Sequence, residues 1–252
     1  PRFQPIEVLK PFLIIILATI LCDIKSNILF KYLISIFLIS FISLLLIAQP
    51  DIGQTLLVIF CWAVLIFTSG INIYILLAIF IAGASLLTYL IIYVPRFDYI
   101  QGRIFSFFNR ETGTHNFQSD KAIESITSGG FFGKGIGEGV LKNRVPEAHT
   151  DYIISVISEE FGVVAIMLIL LLFLILIYMV FKKISFETND KAKLILIGSI
   201  SLILMQATIH IGVNIRLFPT TGMTLPFLSY GGSSIISTSI LAGIILNLTK
   251  RK

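Results

Sequence analysis

Long apolar runs with few charges are the feature that most restricts how this chain can fold. A spanning helix needs about 20 mainly apolar residues, because the hydrocarbon core is about 30 Å thick and each residue rises about 1.5 Å. Such runs are read over residues 8–22, 32–48, 55–69, 73–94, 151–181 and 194–217, with a last helix ending near 248. Charged residues make up 13% of the chain, against about 25% in a soluble domain. Mean hydropathy is +0.95. The expectation is an all-α, polytopic membrane helix bundle of about seven spans, forming one domain over 1–252. Cys22 and Cys61 both fall inside apolar runs and read as helix-packing residues, with no disulfide or metal pattern.

The net charge of +5 is carried by lysines and arginines at helix ends and in loops. That placement suits membrane topology and argues against nucleic-acid binding. For seven spans, the Lys25/Lys31 loop, the loop holding Lys182, Lys183, Lys191 and Lys193, and the Lys250-Arg251-Lys252 tail fall on one side. The excess of cations assigns that side, and the C-terminus, to the cytoplasm. Lys10, near the start of the first run, is expected to snorkel to the interface.

The polar chemistry then gathers on the opposite side, in three loops. The largest covers 95–150, and within it 117–128 can form an interfacial amphipathic helix with Ala122, Ile123 and Ile126 on one side. Asp51, in the turn Gln49-Pro50-Asp51-Ile52-Gly53-Gln54, is either an N-cap or a cavity residue. Thr150 or Asp151 can cap the fifth helix, and a capping carboxylate at a membrane mouth can also serve as a base. Glu159 and Glu160 lie two turns into that helix. An acid at membrane depth costs about 2.5–3.5 kcal/mol on insertion scales, so a cationic partner or a wet cavity is expected for one of them, with Arg216 a candidate partner. His210 and Asn214, four apart, share a helix face.

Glycines at 129, 130, 133, 135, 137 and 139 lie beside Lys134, Lys142 and Arg144. They lack the Gly-Lys-Ser/Thr and strand-to-helix context of a nucleotide loop. Two readings stay open: a cradle of amides and cations for pyrophosphate, or a flexible loop.

Three separated motifs in order carry a family resemblance. PEAHTDYIISVISEEFG from Pro146, the QPDIGQ turn and GMTLPFLSYGGSS from Gly222 resemble the SEDS proteins (shape, elongation, division and sporulation), which polymerise peptidoglycan. The opening FQPIEVLK resembles that family's Gln-Pro-Ser-Glu segment, with Ile6 where serine is usual. The His149-Thr150-Asp151 and Gly222-to-Pro226 runs resemble the division branch more than the elongation branch. The resemblance implies a ten-helix fold of which this chain holds helices four to ten, the first three being absent. It implies a glycosyltransferase of the bacterial inner membrane that joins lipid II disaccharides by β-1,4 linkage and releases undecaprenyl pyrophosphate. Asp151 matches the family's essential aspartate, the general base for the acceptor 4-hydroxyl. Lys142 matches the lysine ahead of Pro-Glu and would meet pyrophosphate charge, alone or with a Mg or Mn ion. Glu147 and His149 would line the same site. Asp51, Glu159 and Arg216 are further substrate-contacting candidates. Ser233 is another, in a run whose small residues open the last helix. The implied partners are lipid II, a class B penicillin-binding transpeptidase and other division proteins. Rival readings are a lipid II flippase and a non-catalytic scaffold.

Overall fold

In the computed structural model, residues 4–23, 27–108, 114–141 and 145–250 are described. Among them the secondary structure is helical, with no strand. The helices are α1 (Pro5–Cys22), α2 (Ile28–Ala48), α3 (Ile52–Thr68), α4 (Ile73–Tyr93), α5 (Asp98–Phe108), α6 (Thr114–Gly129), α7 (Ile153–Phe186), α8 (Asp190–Asn214) and α9 (Gly232–Lys250). Six of these are long and apolar enough to cross a membrane, and the apolar α3, at 17 residues, is shorter. The chain is a multi-pass membrane protein. Two helices were not expected in full: α5 lies in what reads as loop, and α6 extends the 117–128 prediction at both ends.

The residues cluster into two compact units: Pro1–Gly70, Met167–Thr208 and Gly222–Lys252 form the first, Ile71–Ile166 and Ile209–Thr221 the second. In the first unit α1 packs against α2, α3 and α9. Its core includes Ile14, Leu17, Leu65, Leu196, Ile200 and Leu241. Because lipid is as apolar as leucine, close packing rather than burial from water drives such contacts. Gly198 shows this: a Cβ there would lie 2.7 Å from Ile14 Cγ2 and 3.1 Å from Leu65 Cδ2, so any larger residue would force Ile14 and Leu65 to shift.

Lys10 does not snorkel. The helix α1 starts at Pro5, a favoured first position, three residues before the sequence suggests. Lys10 therefore sits inside the helix, fully buried, with Glu7 one turn before it on the same face. Lys10 Nζ lies 2.7 Å from Glu7 Oε2 and donates to Gln206 Oε1 at 3.1 Å. Gln54 Nε2 donates to Glu7 Oε1. Gln206 Nε2 in turn donates to the carbonyl and hydroxyl of Thr224, whose Oγ1 meets Ser234 Oγ at 2.7 Å. A single polar chain thus ties α1, α3, α8, the 224 segment and α9 together within this unit. Asp51 caps α3 by accepting from the Gln54 N–H at 3.1 Å. Ser233 is buried at the start of α9. A cleft of about 750 Å³ in this unit, lined by Cys22, Asp23, Lys31, Asp190, Lys191 and Lys193 among others, contains none of the predicted site residues.

Candidate active site

The second unit holds Asp151. The preceding Pro146-Glu147 leads into a tight turn in which Glu147 adopts φ 54°, a left-handed conformation unusual outside glycine. The Glu147 carbonyl then accepts from the N–H groups of Thr150, Asp151 and Tyr152 at 3.1, 3.0 and 3.3 Å. Thr150 Oγ1 donates to Glu147 Oε2 at 3.0 Å. The turn sets Glu147 and His149 outward and leaves Asp151 half-exposed just ahead of α7. Backbone strain of this kind costs about 1–3 kcal/mol and persists only where surroundings impose it.

The surroundings are identifiable. Asn214, fully buried at the end of α8, donates from Nδ2 to the Asp151 carbonyl at 3.1 Å and to the His210 carbonyl at 2.9 Å. The i, i+4 pair read from sequence thus anchors the main chain of the candidate base. Tyr152 is also buried; burial pushes its phenol pKa upward, and the Asp151 charge adds to the rise. One residue of the site therefore faces outward while its main chain and its neighbour are held in packed structure.

Glu159 meets a cationic partner, Lys134, and together with Glu160 it binds the glycine-rich segment. The helix α7 is broken at Gly162, with φ 77° and ψ −176°. The glycine-rich segment is bonded onto this break. Lys134 N–H and Gly135 N–H donate to the Glu159 and Glu160 carbonyls at 2.8 and 3.1 Å. Val163 and Val164 N–H, freed by the break, donate to Gly130 and Phe131 carbonyls at 3.0 and 3.3 Å. The buried Glu159 carboxylate accepts from Val140 N–H at 2.9 Å, Leu141 N–H at 3.0 Å, Ser125 Oγ at 3.1 Å and Lys134 Nζ at 3.4 Å. Glu160 Oε1 accepts from Gly137 N–H at 3.1 Å. The segment is neither a flexible loop nor an open anion cradle, because these amides already have acceptors.

Arg216 pairs with Asp120 of α6, not with Glu159 or Glu160; the cationic partner of Glu159 is Lys134. The reason is backbone geometry: α8 ends at Asn214, and Arg216 turns away in a left-handed conformation at φ 58°. Lys142 lies outside the described residues. Asp51 and Ser233 belong to the first unit, whereas Glu147, His149 and Asp151 share one turn of the second. Asn214, Tyr152 and the break at Gly162 escaped the sequence reading as parts of the site. Only the His210/Asn214 spacing could have signalled any of them. Among the described residues no three His, Cys, Asp or Glu side chains come together in a set that could hold a metal ion.

The turn, the broken helix and the multi-pass bundle define a membrane protein with a carboxylate displayed beside its apolar helices. The chain belongs to the cell cycle protein family of FtsW, RodA and SpoVE, whose sequence profile matches residues 2–252. It is 34% identical over 256 residues to a Caulobacter vibrioides protein named "Probable peptidoglycan glycosyltransferase FtsW", covering 99% of this chain and 63% of that one. An Enterococcus hirae protein of the same name is 32% identical over 264 residues, covering 66% of its length. Among solved structures, a chain of a peptidoglycan synthase complex, described as coordinating polymerization and crosslinking, superposes with a TM-score of 0.81 at 27% identity. That match covers 99% of this chain and 70% of the other. The rod shape determining protein RodA of Thermus thermophilus gives 0.63 at 29% identity, over 98% and 64%. The chain thus spans about two thirds of the length of these relatives.

Proposed function

We propose that the protein is the lipid II-polymerising glycosyltransferase of a cell-division machinery, with Asp151 as general base. One observation carries the reading: Asp151 stands half-exposed at the head of a membrane-spanning helix while buried Asn214 fixes its main chain. A base so placed is accessible from the aqueous side yet held in orientation. A lipid-linked sugar would present its reacting atoms at the same height, just above the headgroups.

In the reaction, the Asp151 carboxylate takes the proton from the acceptor sugar's 4-hydroxyl. The oxygen forms a bond to the anomeric carbon as the bond from that carbon to the pyrophosphate oxygen breaks. One positioned base suffices, since pyrophosphate leaves without protonation once its charge is met. Such a base contributes about 10²–10⁴ in rate. Because the amides at 134, 135, 137, 140 and 141 are already taken, the pyrophosphate charge would fall to side-chain cations, Lys142 first. Glu147 and His149, on the same turn, would contact the sugars.

The proposed setting is the bacterial plasma membrane, with Lys182, Lys183, Lys191, Lys193 and the C-terminus toward the cytoplasm, as the distribution of cations favours. A class B penicillin-binding transpeptidase is the proposed partner, consistent with the polymerization and crosslinking ascribed to the synthase complex above.

The test is polymerisation of labelled lipid II by the full-length protein with its transpeptidase, compared with Asp151→Asn. Glycan ladders from the parent and none from a folded mutant are expected. Equal ladders would remove Asp151 from the chemistry. Ladders from neither, together with lipid II translocation, would favour a flippase.

A further inference from the structure

The segment bonded to the broken helix presents an apolar tip. Phe131 is 76% exposed, Phe132 85%, Ile136 78% and Val140 60%. A flexible loop could fold such residues away. This one cannot, since its amides at 134, 135, 137, 140 and 141 are committed to Glu159 and Glu160. Large apolar groups held outward on a rigid frame ask for a cover.

The height of the tip can be worked out. Lys182 and Lys183 mark one end of the α7 span. Counting back about 30 Å at about 1.5 Å per residue reaches Gly162. The break in α7 therefore falls at the opposite boundary of the hydrocarbon core. The segment joins α7 at that level, through Val163 N–H to the Gly130 carbonyl and Val164 N–H to the Phe131 carbonyl. Phe161, Val163 and Val164, beside the junction, are themselves exposed apolar residues of the spanning helix. The apolar tip continues a surface that already faces lipid. Lys134 stands among these residues, partly exposed, with its ammonium on the Glu159 carboxylate.

We propose that the 131–140 tip is a membrane-dipping wedge: Phe131, Phe132 and Ile136 lie in the headgroup–acyl boundary of the bilayer. The break at Gly162 seats it, since in a continuous helix the Val163 and Val164 N–H groups would donate to carbonyls of their own helix and not to Gly130 and Phe131. The wedge fixes the height of the adjoining segment against the lipid surface. This inference concerns lipid contact and is independent of the activity proposed above.

The chain has one tryptophan, Trp62. The experiment places a fluorophore at the tip as Phe132→Trp in a Trp62→Phe background, in nanodiscs of phosphatidylcholine and phosphatidylglycerol. The expected result is blue-shifted emission, strong quenching by lipids brominated on the acyl chain near the headgroup, and little quenching by iodide. Phe131→Trp should behave alike. If Trp62→Phe impairs folding, the difference spectrum of Phe132→Trp against the parent reads the same quantity, since Trp62 is buried. Quenching by iodide without quenching by brominated lipid would overturn the proposal. So would protection from both quenchers, which would mean that protein, not lipid, covers the tip.

Discussion

Replacing Glu159 with alanine should free the glycine-rich segment from α7 and destabilise the second unit. The carboxylate accepts from two backbone N–H groups, one hydroxyl and one ammonium. A buried donor left without an acceptor costs about 1–3 kcal/mol. Val140 and Leu141 lie partly at the surface, so water can take up part of their loss. Lys134 is more than a third exposed, and its ion pair adds little. The Ser125 hydroxyl keeps the Ser155 carbonyl as an acceptor, so the expected cost is about 1–3 kcal/mol, mostly from the two amides. Glu159→Gln retains a carbonyl acceptor for the amides, and its new NH₂ can donate to the Ser125 hydroxyl. It should cost about 1 kcal/mol, the difference between charged and neutral acceptors. The assay is hydrogen exchange at Val140 and Leu141 with thermal unfolding in the same nanodiscs. Alanine should raise exchange at both amides far more than glutamine does. Equal behaviour of the two variants, with parental exchange rates, would refute the account of Glu159 as the clamp.

Four further outcomes follow from the packing. Gly162→Ala should cost at least about 1–3 kcal/mol, because its φ of 77° disfavours a side chain and a Cβ would sit 2.2 Å from the Phe131 carbonyl oxygen; unfolding scans check it. Lys10→Met should cost about 3–5 kcal/mol by stranding buried Glu7, and adding Glu7→Gln should recover part of that in a double-mutant cycle. Asn214→Ala should lower kcat by more than it raises KM, with folding retained, because it loosens the Asp151 main chain without touching substrate. Tyr152, with its pKa raised on folding, contributes stability that is full below its unfolded value of about 10 and is lost as pH rises through the folded value. Alkaline unfolding of Tyr152→Phe should lack that component.

Much of the fold was legible because lipid imposes a simple rule. Backbone groups must be satisfied within each segment, so apolar runs become helices, and the runs read from sequence match α1 to α4 and α7 to α9 with ends shifted by a few residues. The ends moved where helix-start chemistry outweighed hydropathy, as at Pro5 and at Asn189, whose side chain accepts from Lys191 N–H and Ala192 N–H ahead of α8. The helix α5 was missed because DYIQGRIFSFF mixes charge, glycine and aromatics without a long apolar run. The candidate base was legible through its motif. Its support was not, since Asn214 lies 63 residues away in the chain.

By itself, then, the sequence determined the solvent: long apolar runs with few charges commit the chain to a bilayer, and the motif at Pro146 to Gly162 marks where polar chemistry gathers. Tertiary structure decided what each charge does there. Lys10, read as an interfacial cation, is buried against Glu7 and Gln206; Glu159, expected to need a cation or a wet cavity, finds Lys134 and closes a loop; Arg216 answers Asp120. The physical reason is that burial is cheap for apolar groups wherever they land, so hydropathy places them without partners. A charge or a hydrogen-bonding group takes its cost from the specific partner it meets, and in this chain those partners lie as many as 196 residues away.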